Sequence, residues 1–204
     1  MEYFNFIPEG WIENKEKYDL STIQEAYEKS KILQGFVEKC DLEYNLHIDL
    51  GNNITGIIPR NEIDFFSSDE CGETKTSICK NKEHTFVQFK IKEILNENKV
   101  LLSRKKASED TLKWFMQNLD KGMIVRGIVK NIRKYGAFIE IGAGVVGLLH
   151  IEDISISRIK SPEERFKVGQ KIDVIIKEIN KKENQIVLTY KELLRKLGRK
   201  YKKS

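Results

Sequence analysis

From Ala137 the chain alternates with a period of two: Ala137, Ile139 and Ile141 fall on one side, Phe138 and Glu140 on the other. The pattern predicts a strand with its aliphatic side turned inward, and it leaves a large aromatic on the polar side. Tyr135 precedes that ring, and the cations Lys130, Arg133 and Lys134 lie close to it in sequence. An unpaired nucleic-acid strand needs such a neighbourhood, with flat rings for its bases and positive charge for its phosphates.

The same pattern occurs earlier. Gly35-Phe36-Val37-Glu38-Lys39 answers Gly127-Ile128-Val129-Lys130-Asn131, and Tyr44 through Ile63 can be laid on Tyr135 through Ile154 without a gap. In that alignment Leu46, Ile48 and Leu50 take inward places, and Gly51 and Gly56 match Gly142 and Gly147. Ile91-Lys92-Glu93-Ile94 and Val100-Leu101-Leu102-Ser103 answer Ile176-Lys177-Glu178-Ile179 and Ile186-Val187-Leu188-Thr189. The chain thus reads as two copies of one five-stranded module. The copies differ at outward positions: His47 stands for Phe138, Pro59 for His150, and Tyr44 is the one aromatic the first copy keeps, without a basic run before it. The first copy is expected to retain the fold and to have lost much of a binding face.

Helices are predicted around the modules. The first twenty residues, with Pro8, Gly10 and Trp11, have a weak pattern and are expected to pack locally or on a neighbour. Ser21-Thr22-Ile23-Gln24 reads as a capping box opening a helix from Thr22 to Lys31. Ser108-Glu109-Asp110-Thr111 reads as the cap of a second helix. Leu112, Phe115, Met116 and Leu119 form its apolar stripe at i, i+3, i+4 and i+7, a packing surface expected to dock on a module. The last stretch, Lys191 to Ser204, holds seven cations and one anion. It predicts a short helix over its first seven residues and a disordered remainder, either a solubilising tail or a non-specific phosphate clamp.

Charge sharpens the division of labour. Residues 1 to 119 hold 16 Lys and Arg against 21 Asp and Glu, whereas 120 to 204 hold 20 against 10, so attraction for a polyanion resides in the C-terminal half. Three cysteines, Cys40, Cys71 and Cys79, form no CxxC pair, which argues against a disulfide framework and for a reducing compartment. With no basic leader followed by an apolar run and no long apolar span, the chain is expected to be cytoplasmic and to have no membrane partner. The insertion from Ser67 to Thr85 contains Cys71, Cys79 and His84 at spacings unlike a zinc pair, and a fourth ligand would have to come from Asp69, Glu70 or Glu73. We read it as a polar loop and expect neither metal nor cofactor. The glycines Gly136, Gly142, Gly144 and Gly147 read as turn or close-approach positions, since no P-loop Lys-Ser/Thr follows them. No Ser/His/Asp order or nucleotide fingerprint is present, and the chain is not expected to be an enzyme.

Gly127 to Asp153, with Tyr135-Gly136-Ala137-Phe138 and Gly147-Leu148-Leu149-His150-Ile151, then Phe166-Lys167-Val168-Gly169-Gln170 and Ile186-Val187-Leu188-Thr189, resembles the S1 RNA-binding domain family. Residues 32 to 105 resemble a divergent member. The resemblance implies a mainly β chain with short helices: two OB-fold five-stranded β-barrels of S1 type, joined by a helix, with a helical N-terminal lead and a basic C-terminal tail. The corresponding parts are residues 1–31, 32–106, 107–119, 120–190 and 191–204. The family binds single-stranded RNA on the face of strands 2 and 3. Its contacts fall here on Tyr135, Phe138 and His150, with support from Lys130, Arg133 and Lys134. The family's Asp and Arg near the fifth strand correspond to Asn180 and Gln185, and Lys181 and Lys182 are candidates to replace the missing cation. The function implied is single-stranded RNA binding in translation or RNA metabolism, with ribosome- or mRNA-associated proteins as possible partners of the N-terminal half. The alternative is a ribosome- or protein-binding adaptor with non-specific attraction for RNA.

Overall fold

The computed structural model describes residues 6–64 and 75–201. They divide into two compact units. One is Ile12–Asp110; the other takes the residues from Thr111 onward together with the N-terminal segment that ends at Trp11.

The first unit contains α1 (Leu20–Glu28), β1 (Leu33–Cys40), β2 (Leu46–Gly51), β3 (Ile54–Ile58), α2 (Lys75–Lys80), β4 (Phe86–Asn96) and β5 (Lys99–Ser103). The strands close into a barrel in the order β1-β2-β3-β5-β4, with β3 and β5 parallel and the other pairs antiparallel. Val37, Leu46, Ile48, Leu50, Ile58, Phe89 and Leu102 fill it and are fully buried, so the inward places expected for Leu46, Ile48 and Leu50 hold.

After α3 (Arg104–Asn118), the second unit repeats the plan with β6 (Ile124–Arg133), β7 (Gly136–Gly142), β8 (Val145–His150), β9 (Lys171–Asn180) and β10 (Gln185–Thr189), followed by α4 (Lys191–Tyr201). Its barrel runs β10-β8-β7-β6-β9, again with one parallel pair, β8 with β10. Both barrels are bulged at the same place. The register of β1 on β2 shifts between Val37 and Lys39, and that of β6 on β7 between Val129 and Asn131. Their close-approach glycines also agree. A Cβ on Gly56 would run into Leu102 Cδ1, and one on Gly147 would lie 2.7 Å from Leu188 Cδ1. Only a residue without a side chain lets those leucines reach the centre of each barrel.

Several local expectations are corrected. The cap of α1 is Asp19, whose carboxylate accepts from the Thr22 amide at 2.8 Å; Ser21 donates its hydroxyl to Asp19 instead, and the helix stops at Glu28. α3 begins one turn ahead of Ser108, since the Ser103 hydroxyl accepts from the Lys106 amide at 2.9 Å. Part of the insertion is helical, as α2, and Cys79 is buried in the first core. His84 lies across from Phe36, with ring centres 6.3 Å apart. Cys71, Asp69, Glu70 and Glu73 lie outside the described residues; among those described, no three metal-binding side chains converge. The C-terminal helix extends through Tyr201 rather than ending after seven residues, with Leu193 seated on Ile124 and Ile175. Lys202 to Ser204 lie outside the described residues.

The stripe Leu112, Phe115, Met116 and Leu119 is buried in the core of the second barrel, as its spacing predicts. The N-terminal segment joins it there. Phe6 packs on Trp114 and Phe115 at 5.2 and 5.1 Å between ring centres, and the guanidinium of Arg126 lies over the Trp11 ring at 5.7 Å. The Glu9 amide donates to the Glu140 carboxylate at 2.9 Å, and the Gly144 amide donates to its other oxygen at 3.1 Å. Glu140 points away from the barrel interior as the alternation requires, yet it is 1% exposed because this segment covers it. A carboxylate out of water needs such donors. No helix among the described residues is long and apolar enough to cross a membrane.

Candidate nucleic-acid interface

The site is built on the β6–β7 hairpin. Arg133 pairs with Gly136, so Lys134 and Tyr135 form a two-residue turn, and both are exposed with Arg133. The bulge between Val129 and Asn131 pushes Lys130 out of the ladder and into solvent. Beyond the turn, Ala137, Ile139 and Ile141 are buried at 0, 0 and 1% exposure, and Phe138 lies on the outer face, half-buried. The Tyr135 ring is 51% exposed and meets Phe138 edge-on with ring centres 6.1 Å apart. One aromatic face is thus open to solvent and a second supports it from the sheet.

The end of β8 completes the site. Gly136 pairs with His150 and Phe138 with Leu148, and the Ile151 amide donates to the Tyr135 carbonyl at 2.9 Å. A Cβ on Gly136 would come within 2.5 Å of the Leu149 carbonyl oxygen, so β7 and β8 approach this closely only because that position has no side chain. Along β8 buried and half-buried residues alternate: Leu149 turns inward, while Leu148 and His150 turn outward. His150 caps the 3-10 turn Ile151–Asp153, its Nδ1 accepting from the Glu152 amide at 3.5 Å, and its side chain is 42% exposed. Behind it Lys177 donates to Asp153 at 2.6 Å; that hydrogen bond raises the lysine above the usual ammonium range.

Lys181 and Lys182 are exposed but stand elsewhere. They occupy the turn before β10, and because β10 runs parallel to β8 with Val187 beside Leu148, that turn lies toward Val145, away from His150. Asn180 and Gln185 face each other across the turn, and the Asn180 side-chain amide Nδ2 donates to the Glu183 carboxylate at 2.8 Å. The structure therefore brings together Tyr135, Phe138, His150, Lys130, Arg133 and Lys134, and leaves the two lysines at the other end. Leu148 was not singled out from sequence; its alternation with Leu149 was the available signal.

At the equivalent places the first barrel has the opposite character. Glu38 occupies the bulge that Lys130 holds in the second, and Leu42 and Glu43 stand where Arg133 and Lys134 do; Leu42 is 98% exposed. Pro59 precedes a 3-10 turn, Arg60–Glu62, as His150 does. His47, in the place of Phe138, donates from Nε2 to the Asp41 carboxylate at 2.9 Å, and Asp41 also accepts from the amides of Glu43 and Asn45. Burial alone would raise the Asp41 carboxyl, but the bonds from His47 and Asn45 outweigh it and hold it at about 2. A carboxyl lowered on folding stabilises the fold above its unfolded value, and loses that contribution as pH falls through the folded value. The stability difference between the chain and Asp41→Asn is expected to be full at pH 5 and to close as pH falls from about 4 toward 2, measured by urea unfolding.

Comparison with known proteins agrees with the barrel and its hairpin. The S1 RNA binding domain model matches residues 118–191. Over 183 residues, 88% of this chain and 31% of the relative, the sequence is 31% identical to the small ribosomal subunit protein bS1 of Neisseria meningitidis. The bS1 protein of Staphylococcus haemolyticus is 30% identical over 190 residues, 90% of this chain and 44% of that one. A 4-hydroxy-3-methylbut-2-enyl diphosphate reductase of Clostridium acetobutylicum is 30% identical over 175 residues, 84% of this chain and 26% of the reductase. The chain spans less than half the length of each of these relatives. The closed five-stranded barrel, the glycine-spaced hairpin and the matched residues together place the second barrel, residues 118–191, in the S1 RNA-binding domain family.

Proposed function

We propose that this chain binds single-stranded RNA in the cytoplasm, in the service of translation, and does so without catalysing a reaction. Tyr135 and Phe138 stack unpaired bases, His150 hydrogen-bonds the strand beside them, and Lys130, Arg133 and Lys134 meet its phosphates. The observation that carries this reading is the half-exposed Tyr135 ring set edge-on against Phe138 within a run of exposed cations. Base stacking tolerates any base, so the site favours unpaired strands over a particular sequence. The bS1 relatives are named as ribosomal proteins, which supports translation as the setting. The reductase relative matches over only a quarter of its length, and no reductase chemistry is carried over from it.

The cations make the reading testable through salt. For single strands log affinity falls by about 0.7 per neutralised phosphate per log unit of salt. Changing Lys130, Arg133 and Lys134 together to Gln is expected to reduce the slope by about 2 in a titration of the full chain with oligouridylate. An unchanged slope, with the attraction lost only when the residues after Thr189 are removed, would favour an adaptor with background RNA affinity instead.

A further inference from the structure

The N-terminal segment that closes over Glu140 also carries an aromatic ring to the outside of the second barrel. The Trp11 amide donates to the Pro8 carbonyl at 3.0 Å, and Gly10, third in that four-residue turn, has φ 77°. A type II turn needs a residue without a side chain there. The turn is pinned at three points: the Glu9 amide bonds the Glu140 carboxylate, the Lys171 ammonium donates to the Trp11 carbonyl at 3.0 Å, and the Arg126 guanidinium lies over the indole. Trp11 is thereby held half-buried, with Lys171 exposed beside it. These groups form a row with the hairpin. Val125 and Val129 take the inward places of β6, so Arg126 and Ile128 turn outward. Ile128 pairs with Glu140 on one side and with Lys171 on the other, and Lys130 continues the strand toward Arg133 at the hairpin. From the hairpin down β6 the order is therefore Lys130, Lys171, Trp11. Arg126 lies two residues past the level of Glu140, and Glu140 two past Phe138, which puts Arg126 and the ring over it about 14 Å along the sheet from Phe138.

We propose that Trp11 is a further base-stacking residue for single-stranded RNA, with Lys171 as its phosphate contact, so that the N-terminal segment extends the track of the second barrel along β6. The proposal rests on the RNA reading above. With the guanidinium against the indole, the part of the ring open to solvent offers a base its π-surface. Asp173 stands opposite Arg126 and offsets its charge, so the phosphate contact falls to Lys171. An ammonium meets a phosphate as a point charge and keeps donors to spare while bonded to a carbonyl. Because the turn is pinned before RNA arrives, little conformational freedom is lost on binding. One barrel of this architecture accommodates about 4 to 16 nucleotides, so a strand seated on Tyr135 and Phe138 can reach the indole. Trp11 lies outside the residues that match the S1 model, which makes this contact an addition by the longer chain.

The test titrates the full chain with triuridylate and dodecauridylate. A triuridylate seated on Tyr135 and Phe138 has one base left and falls short of Trp11, whereas the longer strand covers all three rings. Trp11 and Trp114 are the two tryptophans of the chain, so Trp114→Phe leaves Trp11 as the fluorescent reporter. Dodecauridylate is expected to quench that fluorescence in step with saturation. Trp11→Ala is expected to lower the affinity for dodecauridylate at least about 5-fold, the low end for one stacked base, and to leave that for triuridylate unchanged. Trp11→Phe keeps a ring and should recover most of the loss. Lys171→Gln should reduce the salt slope for dodecauridylate by about 0.7. If Trp11→Ala weakens both lengths equally, the residue acts through the fold; if the fluorescence stays constant while dodecauridylate saturates the chain, the strand runs elsewhere. Either result overturns the inference. The RNA reading itself fails on a different result, dodecauridylate affinity that survives Tyr135→Ala together with Phe138→Ala, so the two failures are distinct.

Discussion

Replacing Tyr135 and Phe138 together by alanine is expected to lower the affinity of the full chain for an unstructured oligouridylate by at least ~30-fold. Stacking one base on an aromatic side chain contributes ~1 to 3 kcal/mol, and two such contacts at the lower bound amount to ~2 kcal/mol, or a factor of about 30. The fold should survive the change. Tyr135 is half exposed on a turn, and Phe138 lies on the outer face, while Ala137, Ile139 and Ile141 keep the interior filled. Thermal unfolding of the variant would check this, and fluorescence anisotropy would read the affinity. The single changes should not be equal. Tyr135→Ala removes the more exposed ring and leaves Phe138 unsupported on one edge, so it is expected to recover most of the loss of the pair.

The second large effect concerns stability. Phe115→Ala is expected to destabilise the second unit by about 3 to 5 kcal/mol, the usual cost of removing a fully buried aromatic from a core. Phe115 is 1% exposed, its ring lies 5.1 Å from that of Phe6, and it stands where a Cβ on Gly142 would come within 3.1 Å. It thus joins the helix, the N-terminal segment and the tip of the β7–β8 hairpin. The matched S1 domain begins at residue 118 and so lacks Phe115, Leu112, Met116 and Phe6. A fragment cut to residues 118–191 should unfold at lower urea than the same unit in the full chain. RNA affinities measured on that fragment would mix binding with folding.

How much of this was legible in the sequence depends on how far away the deciding group lies. The inward places of Ala137, Ile139 and Ile141, and of Leu46, Ile48 and Leu50, follow from two-residue periodicity, which is a local property of a strand. The repeat was equally legible, because the glycines that admit Leu102 and Leu188 recur at matching positions. Glu140 was not. Its alternation places it outward correctly, but its burial is due to Glu9, 131 residues away in sequence, and no local pattern announces that cover. Helix starts failed for a different reason. Asp19 and Ser21, like Ser103 and Ser108, are all residues that cap well, and sequence does not decide which of two good caps within a turn or so is used. The placement of Lys181 and Lys182 away from the hairpin came from the parallel pairing of β10 with β8, a long-range feature that distance along the chain does not show.

For the cluster at the β6–β7 hairpin, geometry and charge support the proposed ligand, an unpaired strand. The two rings are neighbours, one is open, and the bulge and turn expose three cations beside them. The most direct measurement follows the ring protons of Tyr135 and Phe138 in the full chain while hexauridylate is added. Stacked bases should move both sets of signals upfield in step with saturation, with His150 shifting alongside. If RNA saturates the chain while those ring signals stay where they were, the bases lie elsewhere and the account of this face is wrong.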